Sequence, residues 1–236
     1  MKKFILFLSL LFLFFSSISF NSYNNFNSSD NGTITYFGRS SIKIKTFDSF
    51  VIYIDPYASG DYSEVANLIL VTHGHSDHNK ISLVSKNDNT IIIAPKNAIS
   101  GKYTVASENQ TFKLGSISIE TVAAYNKNHP KGTGLGYIIT FGNFKFYHAG
   151  DTDLIEEMKQ LTSKNITVAA LPCDGYYNMG PKMATEAAKI IKPVYLMPIH
   201  SDPYGLFNEN NIKLLNFENL LILKPNETIS ISDLKY

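Results

Sequence analysis

The residues from Val71 to His78 read VTHGHSDH and hold three of the six histidines of the chain, together with one aspartate. Imidazole nitrogens and carboxylate oxygens are the usual protein ligands of borderline divalent ions such as zinc. His73 and His75 alternate, so both rings can face one ion, while Asp77 and His78 can face a second. A surface loop with histidines by chance is the competing explanation, and it is weak because histidine is rare in this chain. The stretch therefore predicts metal binding.

Two later segments repeat the arrangement in which an apolar strand is followed by a residue that can bind metal. Asp151 follows the strand pattern NFKFY, and His200 follows VYLMP. Taken alone, Asp151 could equally cap a following helix, and a lone histidine such as His200 is more often structural. Three such loops at one edge of a sheet would converge where α/β folds usually place ligands. We therefore expect both residues to join the metal site.

The elements that must position these residues are mostly short strands. The runs TITYF, IKIKT and FVIYI favour an antiparallel opening, and the fully apolar NLILV leads directly into the histidine loop. Helical spacing appears later, in Asp153–Leu161 with Asp151 or Thr152 as N-cap, in KMATEAAKII and, weakly, in ENNIKLLNF. This order predicts a mixed α/β protein in which helices cover sheets.

Composition narrows the class of protein and of partner. Hydrophobic residues make up 44% of the 236 residues and charged residues 17%, which is typical of a globular protein with a large core. The net charge is +1 and no block of like charge stands out, so no nucleic-acid partner is expected. Cys173 is the only cysteine, which excludes an intrachain disulfide and leaves stability to the core or to bound metal.

The first residues have the pattern of an export signal. Lys2 and Lys3 precede an apolar run from Phe4 to Phe15, and small residues allow cleavage after Ser19. A retained membrane anchor is the alternative, although the apolar stretch is at the short limit for spanning a bilayer. Either way we expect an extracytoplasmic protein: periplasmic, secreted, or anchored and facing outside. The predicted division is 1–20 signal peptide or membrane anchor, 21–31 flexible spacer and 32–236 a single domain that carries the metal-binding motifs.

The motifs THGHSDH and GDTD and the late PIH together resemble the metallo-β-lactamase fold superfamily. The segments YFGRSSIKI, YIDPY and LPCDGYYNMGPKMATEAAKIIKP are most similar to the branch that includes the L-ascorbate-6-phosphate lactonases. The resemblance implies a four-layer αββα sandwich with the metal site at the sheet edges. It also implies that Asp77 binds metal and orients the attacking water, that Asp151 bridges two ions, and that His200 completes the second site.

Two departures from the family pattern bear on the site. Arg39, in GRSS, stands where the family often has a histidine. In AAYNKNHPKG, Asn126 occupies the apparent position of a third histidine ligand, and His129 is the nearest histidine. We expect His129 to complete the first site, because a loop absorbs a shift of three residues and the glycines that follow let it bend. The alternative is a first site that lacks one ligand.

Three residues are weaker candidates for contacting substrate or for hydrogen-bonding a metal ligand: His148, Asn126 and Tyr177. His148 ends the strand pattern NFKFYH, where alternation favours an inward-facing structural residue. Tyr177 lies in DGYYNMG, a loop after a strand, where an aromatic residue is more often used in packing.

These residues predict an exported metal-dependent hydrolase that acts on a small molecule. The expected cofactor is zinc, one or two ions per chain, with manganese or iron as alternatives. A metal-bound hydroxide would attack an ester-type bond in a lactone or a phosphodiester. The competing hypothesis is a non-catalytic or degenerate extracytoplasmic metal-binding protein of the same fold, and Asn126 is the residue that supports it. A membrane is expected as a partner only through an uncleaved N-terminal segment.

Overall fold

The computed structural model describes residues 31–236, and the predicted signal or anchor and nearly all of the predicted spacer lie outside this range. Thirteen strands in the described range form two sheets. None of the helices described there has the length and apolar character needed to cross a membrane.

The first sheet has seven strands and contains the strand that leads into the histidine loop. They are β1 (Thr33–Gly38), β2 (Ser41–Lys45), β3 (Val51–Ile54), β4 (Leu68–Leu70), β5 (Ile91–Pro95), β6 (Thr104–Ala106) and β13 (Glu227–Ser230). The order across the sheet is β13-β1-β2-β3-β4-β5-β6. β13, β1, β2 and β3 pair antiparallel, as the opening runs predict, and β3 to β6 pair parallel.

The second sheet has six strands and carries the later candidate residues. They are β7 (Thr111–Leu114), β8 (Ile117–Asn126), β9 (His129–Phe141), β10 (Phe144–His148), β11 (Val168–Pro172) and β12 (Tyr195–Ile199). The order across the sheet is β12-β11-β10-β9-β8-β7. β7 to β10 pair antiparallel, whereas β10, β11 and β12 run parallel, so the last three strands end at the same edge.

The main core lies between the two sheets, where alternate residues of each strand face the opposite sheet. Ile34 and Ile52 of the first sheet belong to one fully buried cluster with Tyr137 and Phe146 of the second. The outer face of the second sheet is covered by α1 (Pro181–Ile191), through residues spaced three and four apart. Those residues are Ala184, Ala187, Ala188 and Ile191.

The expected four-layer sandwich is confirmed, with one thin outer layer. Loop residues and a 3₁₀ turn at Ile81–Leu83 cover the outer face of the first sheet. A short helix, α2 (Glu209–Ile212), stands where ENNIKLLNF predicts a weak one, and the side chain of Asn208 accepts hydrogen bonds at its N-terminus.

The helix predicted over Asp153–Leu161 differs in type and in its start. The structure has a 3₁₀ helix at Glu156–Ser163, with no side-chain cap at Ile155. Both candidate caps have other partners. Thr152 Oγ1 donates to the carbonyl oxygen of Tyr125 at 3.1 Å, and Asp151 turns toward the histidines. The helical spacing was correct, but the capping prediction was wrong because the candidate side chains bond across the sheet edge.

Candidate metal centre

Strand ends bring the candidate ligands to one edge shared by both sheets. The histidine loop follows β4, and His200 follows β12 directly. Asp151 lies three residues after β10, and His129 is the first residue of β9. Because parallel strands end on the same side, these residues meet as the sequence predicts. The structure assembles all seven candidate ligands: His73, His75, Asp77, His78, His129, Asp151 and His200.

The cluster has two ends with a shared middle. In each of three groups the candidate ligand atoms lie within 4.8 Å of one another. The first end contains His75 and His129, and the second contains Asp77 and His200. His73, His78 and Asp151 lie between the two ends. The groups are His73 with His75 and His129, His73 with His78 and Asp151, and Asp77 with His78 and His200.

The spacing of the ligand atoms fits a divalent ion. Oδ1 of Asp151 lies 3.4 Å from Nε2 of His78, and its Oδ2 lies 3.5 Å from Nε2 of His200 and 3.7 Å from Nε2 of His129. Ligands around a tetrahedral zinc, with bonds of about 2.0–2.1 Å, stand roughly 3.4 Å apart. The carboxylate of Asp151 is therefore placed to bridge both ends of the cluster.

Several of these atoms are buried without a hydrogen-bond partner. They are Nε2 of His73 and His78, both ring nitrogens of His200, and Oδ1 of Asp151. Buried polar atoms in folded proteins are nearly always paired, so a group of orphaned polar atoms at one point indicates a bound cation. The donor set and its burial both fit a metal ion held by nitrogen and carboxylate oxygen.

Buried carboxylates lie beside two of the imidazoles. Nδ1 of His78 lies 2.7 Å from Oδ2 of Asp55, and Nδ1 of His200 lies 3.0 Å from Oδ2 of Asp174. An ionised carboxylate only accepts hydrogen bonds, so Nδ1 of His78 keeps its proton and Nε2 is the atom left to bind a metal. Asp55 therefore orients His78, and Asp174 places a negative charge beside the ring of His200.

Asp55 also controls His73 through Thr72. Its Oδ1 accepts the backbone N–H of Thr72 at 2.7 Å, and its Oδ2 accepts the Thr72 hydroxyl at 2.6 Å. With its proton donated to Asp55, Thr72 Oγ1 is left to accept from Nδ1 of His73, 3.1 Å away. His73 thus presents Nε2 to the cluster as well. Asp55 is fully buried and adopts a left-handed backbone, with φ of 46°.

The segment that carries His129 is a tight hairpin, and the prediction of a flexible loop was wrong. β8 ends at Asn126 and β9 begins at His129, and the expected hinge glycines lie inside β9. They allow close packing there: a Cβ on Gly134 would lie 3.0 Å from the carbonyl oxygen of Ala124. The ring of His129 is therefore fixed by strand pairing.

Asn126 holds His129 and does not compete with it for the ligand position. Asn126 Oδ1 accepts from the backbone N–H of His129 at 3.0 Å and lies 2.8 Å from its Nδ1. Nε2 of His129 then lies 3.0 Å from Nδ1 of His75, within the first group. The residue that seemed to weaken the first site is the hydrogen-bond acceptor that orients its third histidine.

We predict different effects for the two members of this pair. His129→Ala should lose about one ion per chain in metal analysis, because it removes a ligand. Asn126→Ala should keep the stoichiometry but weaken the affinity about 10- to 100-fold, the usual effect of losing a hydrogen bond to a metal-ligating histidine. Asn128→Ala is the control, since the Asn128 side chain bonds only to the carbonyl oxygen of Tyr177. Full loss of one ion in Asn126→Ala alone would make Asn126 the ligand.

Arg39 fixes the position of Asp77 at the second end of the cluster. Its Nε donates to Oδ2 of Asp77 at 2.6 Å. Its Nη1 donates to the carbonyl oxygens of Asp202, Pro203 and Gly205 at 3.2, 3.4 and 3.2 Å. The residue that replaces the histidine of the family pattern thus joins the Asp77 carboxylate to the loop that follows His200.

Burial keeps two histidines neutral. It lowers the pKa of His73 well below its usual value and also lowers the pKa of His129. Both imidazoles are thus free to bind metal at neutral pH. Burial raises the pKa of Cys173 to about 12, so this residue stays a thiol and is a poor ligand and a poor nucleophile.

For Asp151 and His78, neighbouring charges affect the pKa more than burial does. Burial acts to raise the pKa of Asp151, but His200 and His78 outweigh it and hold this pKa well below its usual range. Burial acts to lower the pKa of His78, but Asp151 and Asp55 outweigh it and raise this pKa to about 9. An ion that binds His78 must therefore displace a proton from Nε2.

A cleft of about 480 Å³ opens onto the cluster. Tyr177 lies on its wall, as proposed for a substrate contact. His148 does not: it is fully buried, as the alternation along its strand favours, and the weaker possibility of a substrate contact is not met. Its Nε2 donates to the carbonyl oxygen of Ser40 at 2.9 Å, and its Nδ1 accepts the N–H of Gly150 at 3.2 Å, next to Asp151. The cleft is lined by Arg39, His75, Ser76, Asp77, Asn128, His129, Asp151, Tyr177, His200 and Pro203.

Sequence reasoning missed Asp174 and gave Asp55 too little weight. Asp174 comes two residues after β11, and Asp55 directly follows β3. Each therefore repeats the arrangement of an apolar strand followed by a potential ligand, which had already identified Asp151. Applied to every strand, that criterion would have found both.

Comparisons with known proteins agree with this geometry. A family model for the β-lactamase superfamily domain matches residues 33–200. A UPF0173 metal-dependent hydrolase of Pyrococcus furiosus is 29% identical over 225 residues, which cover 84% of this chain and 99% of the relative. A UPF0173 metal-dependent hydrolase of Anoxybacillus flavithermus is 31% identical over 210 residues, covering 75% of this chain and 89% of the relative.

Solved structures share the arrangement of the two sheets. A crystal structure from Parabacteroides distasonis, of a protein assigned as a metal-dependent hydrolase, matches with a TM-score of 0.72 at 32% identity, covering 81% of this chain and 92% of the other. Igni18, a metallo hydrolase of Ignicoccus hospitalis, matches with a TM-score of 0.67 at 23% identity, covering 84% and 97%. The second likeness concerns the fold alone.

Proposed function

We propose that this chain, which belongs to the β-lactamase superfamily and is a metal-dependent hydrolase, cleaves an ester-type bond in a lactone or a phosphodiester. The observation that carries the proposal is the group of orphaned buried atoms of His73, His78, His200 and Asp151, of which His200 and Asp151 line an open cleft. Zinc is the proposed metal, because imidazole-rich sites with one or two carboxylates suit it, and manganese or iron are alternatives.

When bound, divalent ions supply a Lewis acid and lower the pKa of a coordinated water. The histidines and Asp151 hold that charge in place. Their orientation by Asp55 and Asn126 leaves little rearrangement to be made during the reaction.

Asp77 is the proposed residue that orients the attacking water and takes its proton. Burial acts to raise its pKa, but His78 and Arg39 outweigh it and lower this pKa, so Asp77 is a carboxylate at neutral pH. The ion pair with Arg39 fixes its position at the cleft wall.

The proposal is tested by metal-dependent hydrolysis of two generic esters, bis(4-nitrophenyl) phosphate and an aliphatic lactone. Turnover of at least one should be lost on chelation and restored by zinc. Asp77→Ala should lower it about 10²- to 10⁴-fold, the usual contribution of a positioned acid or base. Asp61→Ala removes an exposed carboxylate far from the cleft and serves as the control.

Two outcomes would overturn the proposal in different ways. Full activity in Asp77→Ala on a confirmed substrate would contradict the role of Asp77. Metal bound at full stoichiometry with no turnover of either ester would show that this hydrolase acts on a bond of another type. The similarity to metal-dependent hydrolases argues against the competing hypothesis of a non-catalytic metal-binding protein.

Export is a separate proposal that rests on the sequence from Met1 to Phe20. Its support is the pair of lysines followed by an apolar run and small residues. Fractionation should find the protein outside the cytoplasm, either cleaved near Ser19 or retained on a membrane.

A further inference from the structure

We propose that Tyr176, Tyr177 and Tyr204, the tyrosine rim, form a subsite that binds a flat ring of the substrate, such as an aryl group, beside the metal cluster. The inference rests on the proposed function, because it names the class of substrate for the same cleft. The established family membership does not assign these residues.

The three rings form an aromatic cluster beside the cleft, in which they meet at steep angles and Tyr177 is the member that lines the cleft wall. Ring centroids of Tyr176 and Tyr177 lie 4.7 Å apart, and Tyr204 lies 5.8 Å from Tyr176 and 6.3 Å from Tyr177. Tyr204 is 78% exposed and Tyr176 is 57% exposed. Aromatic rings left in water beside a catalytic cleft offer a large face that a flat ring can cover. Tyr177 and Pro203 belong to the same cleft wall as His200.

The backbone beneath two of the rings is fixed by residues that also contact metal ligands. Asp174 Oδ1 accepts the N–H groups of Tyr176 and Tyr177 at 2.7 and 2.6 Å. The carbonyl oxygen of Tyr177 accepts from Nδ2 of Asn126 at 3.1 Å. Asp174 also lies beside His200, and Asn126 also holds His129. The rim and the metal cluster therefore keep a constant relation to one another.

The backbone of the third residue, Tyr204, is also held by hydrogen bonds. The N–H of Tyr204 donates to Oδ1 of Asp202 at 2.8 Å, and Arg39 binds the carbonyl oxygens on both sides of Tyr204. A ring-binding surface on fixed backbone loses little conformational entropy when a ligand binds, so its stacking energy contributes to affinity almost in full. A rim of this kind discriminates between substrates by the group next to the scissile bond.

The experiment compares phosphonates that share one anionic group and differ in a ring. Benzylphosphonate and 2-phenylethylphosphonate carry the ring, and methylphosphonate and ethylphosphonate are the matched ligands without it. Binding to the zinc-loaded full-length protein is measured by calorimetry. The chain has 14 tyrosines and no tryptophan, so quenching of tyrosine fluorescence gives a second, independent readout.

At least one ring-bearing ligand should bind about three- to tenfold more tightly than its counterpart, the usual range for an aromatic pair. Tyr204→Ala should reduce this ratio to within about twofold, and Tyr204→Phe should keep it, because the ring and not the hydroxyl makes the contact. Tyr236→Ala is the control: Tyr236 is also part-exposed, at 46%, but packs on Phe144 with centroids 5.5 Å apart.

Equal binding of ring-bearing and ring-free ligands, or no binding of any ring-bearing ligand, would overturn the subsite. So would a ratio that survives in Tyr204→Ala. None of these results bears on zinc-dependent ester hydrolysis, which is measured separately. Failure of the rim and failure of the proposed function are therefore distinguishable.

Discussion

Asp151→Ala should remove most of the bound metal and lower ester hydrolysis on the order of a thousandfold or more. Asp151 is the one carboxylate placed within reach of both ends of the cluster, near Nε2 of His78, His129 and His200. A single histidine variant removes a ligand at one end, whereas loss of Asp151 removes the shared anion. Without the negative charge of Asp151, less of the positive charge of the divalent ions would be balanced. Metal binding would therefore be weaker at both ends of the cluster.

Metal content by elemental analysis and turnover of a confirmed ester measure this effect. Asp153→Ala is the matched control, because it removes the same charge two residues further along the chain, outside the three ligand groups. We expect Asp153→Ala to keep its metal and most of its turnover. Wild-type metal content in Asp151→Ala would show that the two ends bind independently, and the bridging role would be wrong.

Asp55→Ala should lower the free energy of unfolding by about 3–5 kcal/mol, the usual effect of breaking a buried charged pair. Asp55 and His78 are both fully buried, and their atoms lie 2.7 Å apart. The substitution also leaves the backbone N–H and the hydroxyl of Thr72 without their acceptor. Chemical denaturation of metal-free protein measures the loss without a contribution from bound ions.

Asp55→Asn separates the effect of charge from the effect of volume. The amide fills the same space, but its NH₂ must face either the Thr72 N–H or Nδ1 of His78, and both are donors in the wild type. The easier adjustment moves the His78 proton to Nε2, which blocks that ligand atom. Asp55→Asn should therefore be more stable than Asp55→Ala and yet bind metal about 10- to 100-fold more weakly than the wild type.

The control for both substitutions is Asp61→Asn, at an exposed carboxylate. Unchanged metal affinity in Asp55→Asn would show that the tautomer of His78 is set by another contact. Unchanged stability in Asp55→Ala would show that Thr72 and His78 find new partners, for example water that enters the space.

Most of the candidate ligands could be predicted from the sequence, because residues that directly follow a buried strand lie at the edge of its sheet. The fully apolar β4 identifies the loop of His73 as an exit from a buried strand, and the same holds for β10 and Asp151. The location of the site then follows from parallel pairing alone. Six of the seven candidate ligands follow strands in this way: four lie in the loop after β4, Asp151 follows β10 and His200 follows β12, whereas His129 begins a strand.

The features of the site that the sequence did not predict depend on contacts between segments far apart in the chain. The sequence around Asn126 shows glycines but not which carbonyl lies close to them, so a strand looked like a flexible loop. Thr152 resembles a helix cap until its hydroxyl is seen bound to Tyr125. The pairing of His200 with Asp174 joins two strand exits, which no local pattern specifies. Local spacing predicts which residues emerge from the sheets, and tertiary hydrogen bonds decide what each one does.

Both sheets contribute ligands to each end of the metal cluster, so bound metal also affects how long the folded protein persists. His73 belongs to the first sheet and His200 to the second, with roughly 120 residues between them, so an unfolded chain offers no comparable site. By mass action, an ion that binds only the folded chain stabilises it by about 1.4 kcal/mol for each tenfold rise in free metal above the dissociation constant. Proteases act on unfolded chains. The supply of metal would therefore regulate how fast the protein is degraded in the cell, in addition to its activity as a hydrolase.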